Sequence, residues 1–522
     1  IYRYIRQITS LPCYYFSMSK LWRLLPSGSN NLVSQLLVNR GVLTPDQANW
    51  REPKYERDLH DPFLMKDMAK AVELIVEAIK NKVRIAVFAD YDADGVPGAV
   101  VLTEWFKYVG YTDYEVYIPD RHDEDYGLSV MAVEQLAKAG AKLLITIDCG
   151  ITNVVEVARA KELGMEVIVT DHHLVPAELP QADAILNPKQ SDDNYPEKML
   201  CGTGVVFKLV QGLLRRRTDE EIFVGVGARQ QTGKAAKISL SGRSLDLTFG
   251  KWLLDLVAIA TIGDMVPLRG ENRALAYFGL KVLRRTRRPG LISFYRVLGL
   301  DPRYVSEDDV GFSIAPRINS ASRMTHASEA YDLLSADDPV RAMALAEHLE
   351  KQNKERKKSV EKIMVEMAIE ENLPELNGVI VAGSESWNLG VLGLAAARLA
   401  EKYGRPTFLW GKNGHGLIKG SCRSNGLVDI VALMREAGGE KLFTNFGGHA
   451  AAGGFSVSPK QVAALTFKLN KAYATLVEGR ELPSEELLLD AELLLDRVDE
   501  ATCRLLESLA PWGVEYPKPL FF

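Results

Sequence analysis

Between residues 83 and 200, short runs of β-branched and apolar residues alternate with segments of helical periodicity. No other feature of the sequence constrains the fold as strongly. Strands are expected at 83–88, 114–118, 143–147 and 166–170, with helices at 97–109, 130–139 and 153–163 between them. Apolar runs of this length suit strands buried on both faces. That arrangement calls for a mostly parallel sheet with helices packed over both sides. In such sheets ligands sit outside the carboxyl ends of the strands, so the residues that follow each run carry the most information.

Those residues are acids and imidazoles. Asp90-Tyr-Asp92-Ala-Asp94-Gly95 follows the first strand, Asp148-Cys149-Gly150 the third and Asp171-His172-His173 the fourth. Asp264 follows an apolar helix that begins at Leu253. A single Asp at a strand end is as readily a helix cap. Three acids within five residues, however, repel one another at neutral pH and need cations or protons nearby. Gly95 and Gly150 allow the backbone to turn tightly beside a ligand. Oxygen donors with one or two imidazoles and no sulfur suit manganese, magnesium or zinc, and manganese best of the three. Two such ions about 4 Å apart can share a carboxylate and activate a water for in-line attack on phosphorus.

The rest of the chain organises around this edge. A length of 522 residues exceeds one core and fits two to four domains. Residues 1–17 read as an upstream leader foreign to the native protein, and 18–80 as an N-terminal helical arm with helices at 32–40 and 65–79. Residues 81–335 form the α/β unit, interrupted at 218–250 by a polar, Gly-containing, basic insertion. Asp337-Asp338-Pro339 starts a long charged helix, and 336–372 reads as a connector. Residues 373–478 form a smaller α/β unit, and 479–522 begin another element that the chain truncates. The formal net charge is −5, so any phosphate-binding face must be local. Five cysteines without CxxC spacing argue against a zinc ribbon or a disulfide framework and point to the cytoplasm. No run of about 18 apolar residues occurs, so no membrane span is expected.

The acid-bearing segments, with Ile262-Gly-Asp264-Met-Val-Pro, closely resemble the successive motifs of the DHH phosphoesterase superfamily. Others resemble its RecJ branch. These are Ile118-Pro-Asp-Arg121 with Tyr126-Gly-Leu, Leu186-Asn187-Pro-Lys, Cys201-Gly-Thr-Gly-Val-Val-Phe-Lys, and Ala315-Pro-Arg317-Ile-Asn319 with Arg323. The second unit is similar to the DHH-associated domain through Trp387, Gly390-Val-Leu-Gly, Gly420-Ser-Cys-Arg423-Ser and Gly447-Gly448-His449. Residues Leu509-Ala-Pro-Trp-Gly resemble the opening of the family's OB-fold.

The resemblance implies a monomeric single-strand exonuclease of DNA repair and recombination. It would digest DNA 5′ to 3′ to mononucleotides with two Mn2+ or Mg2+ ions, alongside single-strand-binding protein and a helicase. Carried over by motif, Asp92, Asp94, Asp148, His172 and Asp264 are implied metal ligands, with Asp148 bridging. Asp90 is a ligand or its support, Asp171 holds the site, and His173 contacts the scissile phosphate. Arg121, Arg317, Arg323, Arg423 and His449, with Asn187, Asn319 and Gly448, are implied substrate contacts. Trp387 and Tyr126 are candidates for stacking on bases. The sequence departs from the family at Pro97, Asp125 and Asn388. Two other readings compete: a DHH phosphodiesterase of short oligonucleotides or cyclic dinucleotides, and a catalytically dead replication scaffold. The dead scaffold should lack ligand carboxylates, and all are present here.

Overall fold

The computed structural model of the chain describes residues 21–26, 29, 31–121, 124, 127–215, 247–369, 378–413, 416–478 and 486–522. The leader at 1–17, Asp125, Tyr126 and nearly all of the 218–250 insertion lie outside the described residues.

Five strands make the first sheet: β1 (Ile85–Ala89), β2 (Tyr114–Tyr117), β3 (Leu143–Ile147), β4 (Glu166–Thr170) and β5 (Ala184–Leu186). Their order is β2-β1-β3-β4-β5, and every neighbouring pair is parallel. β1 and β3 are buried at every position, which explains their unbroken apolar sequence. Side chains alternate between the two faces. Ile85, Val87, Leu143 and Ile145 pack under α1 (Gly95–Val109). Ala86, Phe88, Leu144 and Val167 pack under α2 (Val130–Lys138) and α3 (Val154–Glu162). Each fully buried aliphatic side chain contributes about 1.5–3 kcal/mol. α4 (Gly202–Arg215) and α5 (Leu254–Gly263) complete the layer beside α1. The sheet order reverses between β1 and β3. That switch point is where open α/β sheets place their ligands.

α6 (Ala315–Met324) leads towards the connector α7 (Pro339–Ile369). Asp338 Oδ2 accepts the N–H of Arg341 at 2.8 Å, so the expected acidic cap forms. At 1.5 Å per residue α7 runs about 46 Å. Its first half buries Ala342, Ala346 and Leu349 in the first core. Its second half buries Val360, Ile363 and Met367 against Val391, Leu392 and Ala395 of α8 (Leu389–Tyr403). One helix thus belongs to both cores.

The second sheet contains β6 (Ile380–Gly383), β7 (Thr407–Lys412), β8 (Ile418–Arg423), β9 (Asn445–His449) and β10 (Ala452–Val457), in the order β9-β10-β8-β7-β6. Only β6 and β7 pair in parallel; the other neighbours are antiparallel. Trp387, a candidate for base stacking, packs instead in the second core: it is 7% exposed, and its Nε1–H donates to Glu366 Oε2 at 2.6 Å.

The two ends meet. Leu21–Leu24 pairs in parallel with Glu486–Leu489, and Arg40 forms a fork with Asp490 at 2.7 and 3.0 Å. Trp512 and Tyr516 pack on this arm. The described residues of 486–522 contribute the strand Glu486–Leu489 and the helix Glu500–Glu507, and the expected opening of an OB-fold is not shown by them.

Candidate metal centre

The parallel ladder continues one residue past the strands. Asp90 N–H donates to Ile147 O, Asp148 N–H to Thr170 O and Asp171 N–H to Leu186 O. Three aspartates from β1, β3 and β4 therefore stand side by side at the switch point. Asp148 adopts φ +61°, a left-handed conformation that Asp tolerates better than most residues. Close packing fixes it there: a Cβ on Gly202 would lie 2.6 Å from Asp148 Cβ. Asp94 accepts from the N–H groups of Gly202 and Thr203 at 2.5 and 2.7 Å, so the N-terminus of α4 holds its charge. Asp92 Oδ1 accepts from the N–H of Asp94 and of Gly95. Asn319 Oδ1 accepts from Ala93 N–H at 2.8 Å, which ties this turn to α6.

Asp171 is a hub. Its Oδ1 accepts from the backbone N–H groups of His172 and His173, and its Oδ2 from Ile151 N–H. His173 Nδ1 lies 2.7 Å from Oδ1. Burial opposes ionisation of Asp171, but the His173 contacts outweigh it and hold the carboxyl below its ordinary value. His173 is also desolvated, yet the same pairing raises its pKa. Burial lowers that of His172, which favours the neutral imidazole. His172 Nε2 stands 3.1 Å from Asp148 Oδ1, 3.7 Å from Asp94 Oδ2 and 3.8 Å from Asp264 Oδ2. The two imidazoles thus differ in their electrostatics: burial favours the neutral ring at His172, and the Asp171 pair favours the protonated ring at His173.

Three overlapping sets place their donor atoms within 4.8 Å of one another: Asp90, Asp92 and Asp148; Asp94, His172 and Asp264; and Asp148, His172 and His173. Burial, together with repulsion among the acids, pushes Asp90, Asp94 and Asp148 above their ordinary range. The same causes push Asp264 to about 9. Asp90 Oδ1 is buried without a hydrogen-bond partner among the described residues. A buried carboxylate in that state costs several kcal/mol unless a cation reaches it. Oxygen and imidazole donors in this number fit hard divalent cations. Burial pushes the thiols of Cys149 and Cys201 well above their ordinary value, and neither belongs to these donor sets.

Beyond the acids stands a group of arginines. Arg121 lies over the Tyr91 ring, 4.9 Å from its centroid. Arg323, on α6, donates to Gly390 O at 3.2 Å. Burial and then the charges of Arg121, Arg356 and Arg423 drive its pKa down to about 9. Arg423, at the end of β8, comes from the second unit, and a Cβ on Gly393 would sit 2.8 Å from its Nη2. Like charges so gathered call for an anion. Arg356 was missed in the sequence because it is one of many charges in the connector. His449 and Arg423 flank Ala452 in the same row of the second sheet, roughly 10 Å apart across two strand spacings. His449 is exposed, and Gly448 beside it has φ +138°.

Other expected contacts are engaged within the protein. Arg317 pairs with Glu350 at 2.9 Å and donates to Ser313 O. Asn187 donates to His173 O and accepts from Lys189 N–H. Asn388, one of the departures, caps α8 by accepting Gly390 N–H at 2.8 Å.

Residues 84–237 match the DHH family N-terminal domain, and residues 376–475 match the DHHA1 domain. The single-stranded-DNA-specific exonuclease RecJ of Bacillus subtilis is 36% identical over 493 residues, 94% of this chain and 58% of that protein. Its Haemophilus influenzae counterpart is 32% identical over 508 residues, 96% of this chain and 85% of that protein. The crystal structure of Thermus thermophilus RecJ with Mn2+ superposes with TM-score 0.74 at 30% identity, covering 96% of this chain and 69% of that one. The chain belongs to the RecJ family of DHH-type, single-stranded-DNA-specific exonucleases.

Proposed function

We propose that this chain is a metal-dependent exonuclease that degrades single-stranded DNA from its 5′ end and releases 5′-mononucleotides. One observation carries the reading: a buried acid and imidazole cluster at the switch point of the first sheet, approached by arginines from both units. We propose that Asp90, Asp92, Asp94, Asp148, His172 and Asp264 would hold two divalent ions, Asp148 being common to two of the donor sets. Mn2+ and Mg2+ are the candidates; Thermus RecJ structures carry each. Bound there, the ions neutralise phosphate charge and supply an acidified water for in-line attack.

The protein groups do the rest. Asp171 fixes the ring of His173 and favours its protonated form, so His173 offers charge and an N–H to the scissile phosphate. Arg121, Arg323, Arg423 and His449 take the terminal phosphate and its neighbours, since the Arg fork matches phosphate oxygens. Asn187 and Asn319 act through the backbone of His173 and Ala93, and Gly448 lets the backbone at His449 approach an anion. Arg317 serves position rather than direct contact. Residues 81–335 form the catalytic domain, 373–478 the substrate-binding domain and 336–372 the connector. We place the enzyme in cytoplasmic DNA repair and recombination, as a monomer working beside single-strand-binding protein and a helicase. None of the described helices is long and apolar enough to cross a membrane.

The test is product analysis on a long single strand with Mn2+, labelled separately at each end. Immediate mononucleotide release from the 5′ label, with gradual shortening of the 3′-labelled strand, is expected. An inert long strand beside rapid hydrolysis of di- to pentanucleotides would overturn this in favour of a small-substrate phosphodiesterase.

A further inference from the structure

With Trp387 buried in the second core, the sequence candidates leave no described aromatic to receive a base near the acids. One stands elsewhere. Phe312 is 78% exposed and lies in a single π-helical turn, Val310–Ile314, just before α6. Isolated exposed apolar residues are ordinary, so exposure alone decides nothing. The position of this turn and its rigidity do.

The turn packs on the end of α5, which leads into Asp264. A Cβ built on Gly311 would sit 3.9 Å from Ile262 Cγ2. A Cβ on Gly263 would sit 3.2 Å from Ala315 Cβ and 3.6 Å from Ala93 Cβ. Phe312 thus rides on the same packing contact that joins Asp264 to the Asp90–Gly95 turn. Met265, the residue after Asp264, is 69% exposed and held at φ +59°. Two large apolar side chains are therefore presented to solvent on segments that adjoin Asp264: Met265 follows it in the chain, and Phe312 lies on the turn packed against Ile262.

The turn is also clamped. A π-turn leaves carbonyls without their usual helical partners. Arg317 Nη1–H donates to Ser313 O at 2.9 Å, and the Phe312 carbonyl lies 3.5 Å from the same nitrogen. Glu350 of the connector fixes that guanidinium in turn at 2.9 Å. A partly buried ion pair thus supports the backbone beneath an exposed aromatic ring. Rigid presentation suits a platform that must hold a flat ligand in register with a reacting bond.

We propose that Phe312 is a nucleobase platform: the base of a nucleotide at the scissile bond stacks on its ring while the adjacent phosphate lies in the acid cluster. The inference rests on the exonuclease reading above and deepens it. Stacking is sequence-tolerant because every base has a π-face, so the platform sets the register of the strand without selecting sequence. Arg317 is its positioning residue.

The test compares wild type, Phe312→Ala and Phe312→Trp on 5′-phosphorylated oligothymidylates carrying one abasic tetrahydrofuran residue at successive positions from the 5′ end. Phe312→Ala should raise KM on the intact oligonucleotide about tenfold, the size of one base–aromatic stack, with kcat within about twofold. Wild type should lose a similar factor at one abasic position. Phe312→Ala should lose nothing further there, and Phe312→Trp should behave as wild type. Equal abasic sensitivity of wild type and Phe312→Ala at every position would overturn the platform while leaving the exonuclease reading intact. A Phe312→Trp variant as poor as Phe312→Ala would also overturn it. A wild-type protein inert on every oligonucleotide would overturn both.

Discussion

Replacing Asp264 by Asn should make the metal-free protein more stable while impairing its chemistry. Burial and the charges of Asp94 and Asp92 raise this carboxyl from an ordinary 3.8 to about 9. A raised folded-state value means that its contribution is fully favourable below pH 3.8 and is lost as pH climbs towards 9. At pH 7 the interval above 3.8 is about 3.2 pH units. At about 1.4 kcal/mol per unit the wild-type carboxyl costs the fold about 4 kcal/mol. Asn has the shape of the protonated acid and carries no such cost, so about 2–4 kcal/mol should be regained as neighbouring groups share the relief. For a domain of this size that is roughly 5–10 °C in Tm. The assay is thermal unfolding in excess chelator at pH 5 and pH 8, with the variant's advantage growing with pH. Saturating Mn2+ should reverse the order, because cation binding stabilises wild type more. A variant no more stable than wild type in chelator at pH 8, or an advantage independent of pH, would refute the reasoning.

Other consequences follow from named contacts. Loading the apo protein with Mn2+ at pH 7 should release at least one proton per chain, because cations displace protons from Asp90, Asp94, Asp148 and Asp264; calorimetry in buffers of different ionisation enthalpy reads this, and identical heats would count against it. Arg423→Ala should weaken DNA engagement about tenfold or more while leaving Mn2+ affinity unchanged, as equilibrium binding to a 5′-phosphorylated strand would report. Lys208→Met should cost about 3–5 kcal/mol of stability, because it strands Glu271 in a fully buried pair held at 2.8 Å; adding Glu271→Gln should restore much of the loss in the same unfolding assay.

The sequence announced what is local and withheld what is not. The helix expected at 97–109 begins at Gly95, two residues earlier, because proline is tolerated in a first turn. Leu143–Ile147 and Glu166–Thr170 occur where their apolar runs stand, and the acids after them converge because parallel strands end together. β5 escaped notice because three residues carry no readable period. The pairing of Leu21–Leu24 with Glu486–Leu489 joins segments more than 460 residues apart in the chain, and no local pattern encodes it. The π-turn at Phe312 has no composition signature. The motif resemblance named Arg317 as a substrate contact and passed over Arg356; packing instead ties Arg317 to Glu350 and brings Arg356 near Arg323.

We propose that acids at this switch point hold divalent cations which drive phosphodiester cleavage. Single-turnover cleavage of a 5′-labelled strand, titrated with Mn2+ from a chelator-stripped start in wild type and Asp148→Ala, tests it most directly. No cleavage is expected in the stripped enzyme, then a cooperative rise fitted by two ions, with Asp148→Ala folded but inactive at every concentration. Cleavage that persists in chelator, or an Asp148→Ala variant near wild-type rate, would contradict it.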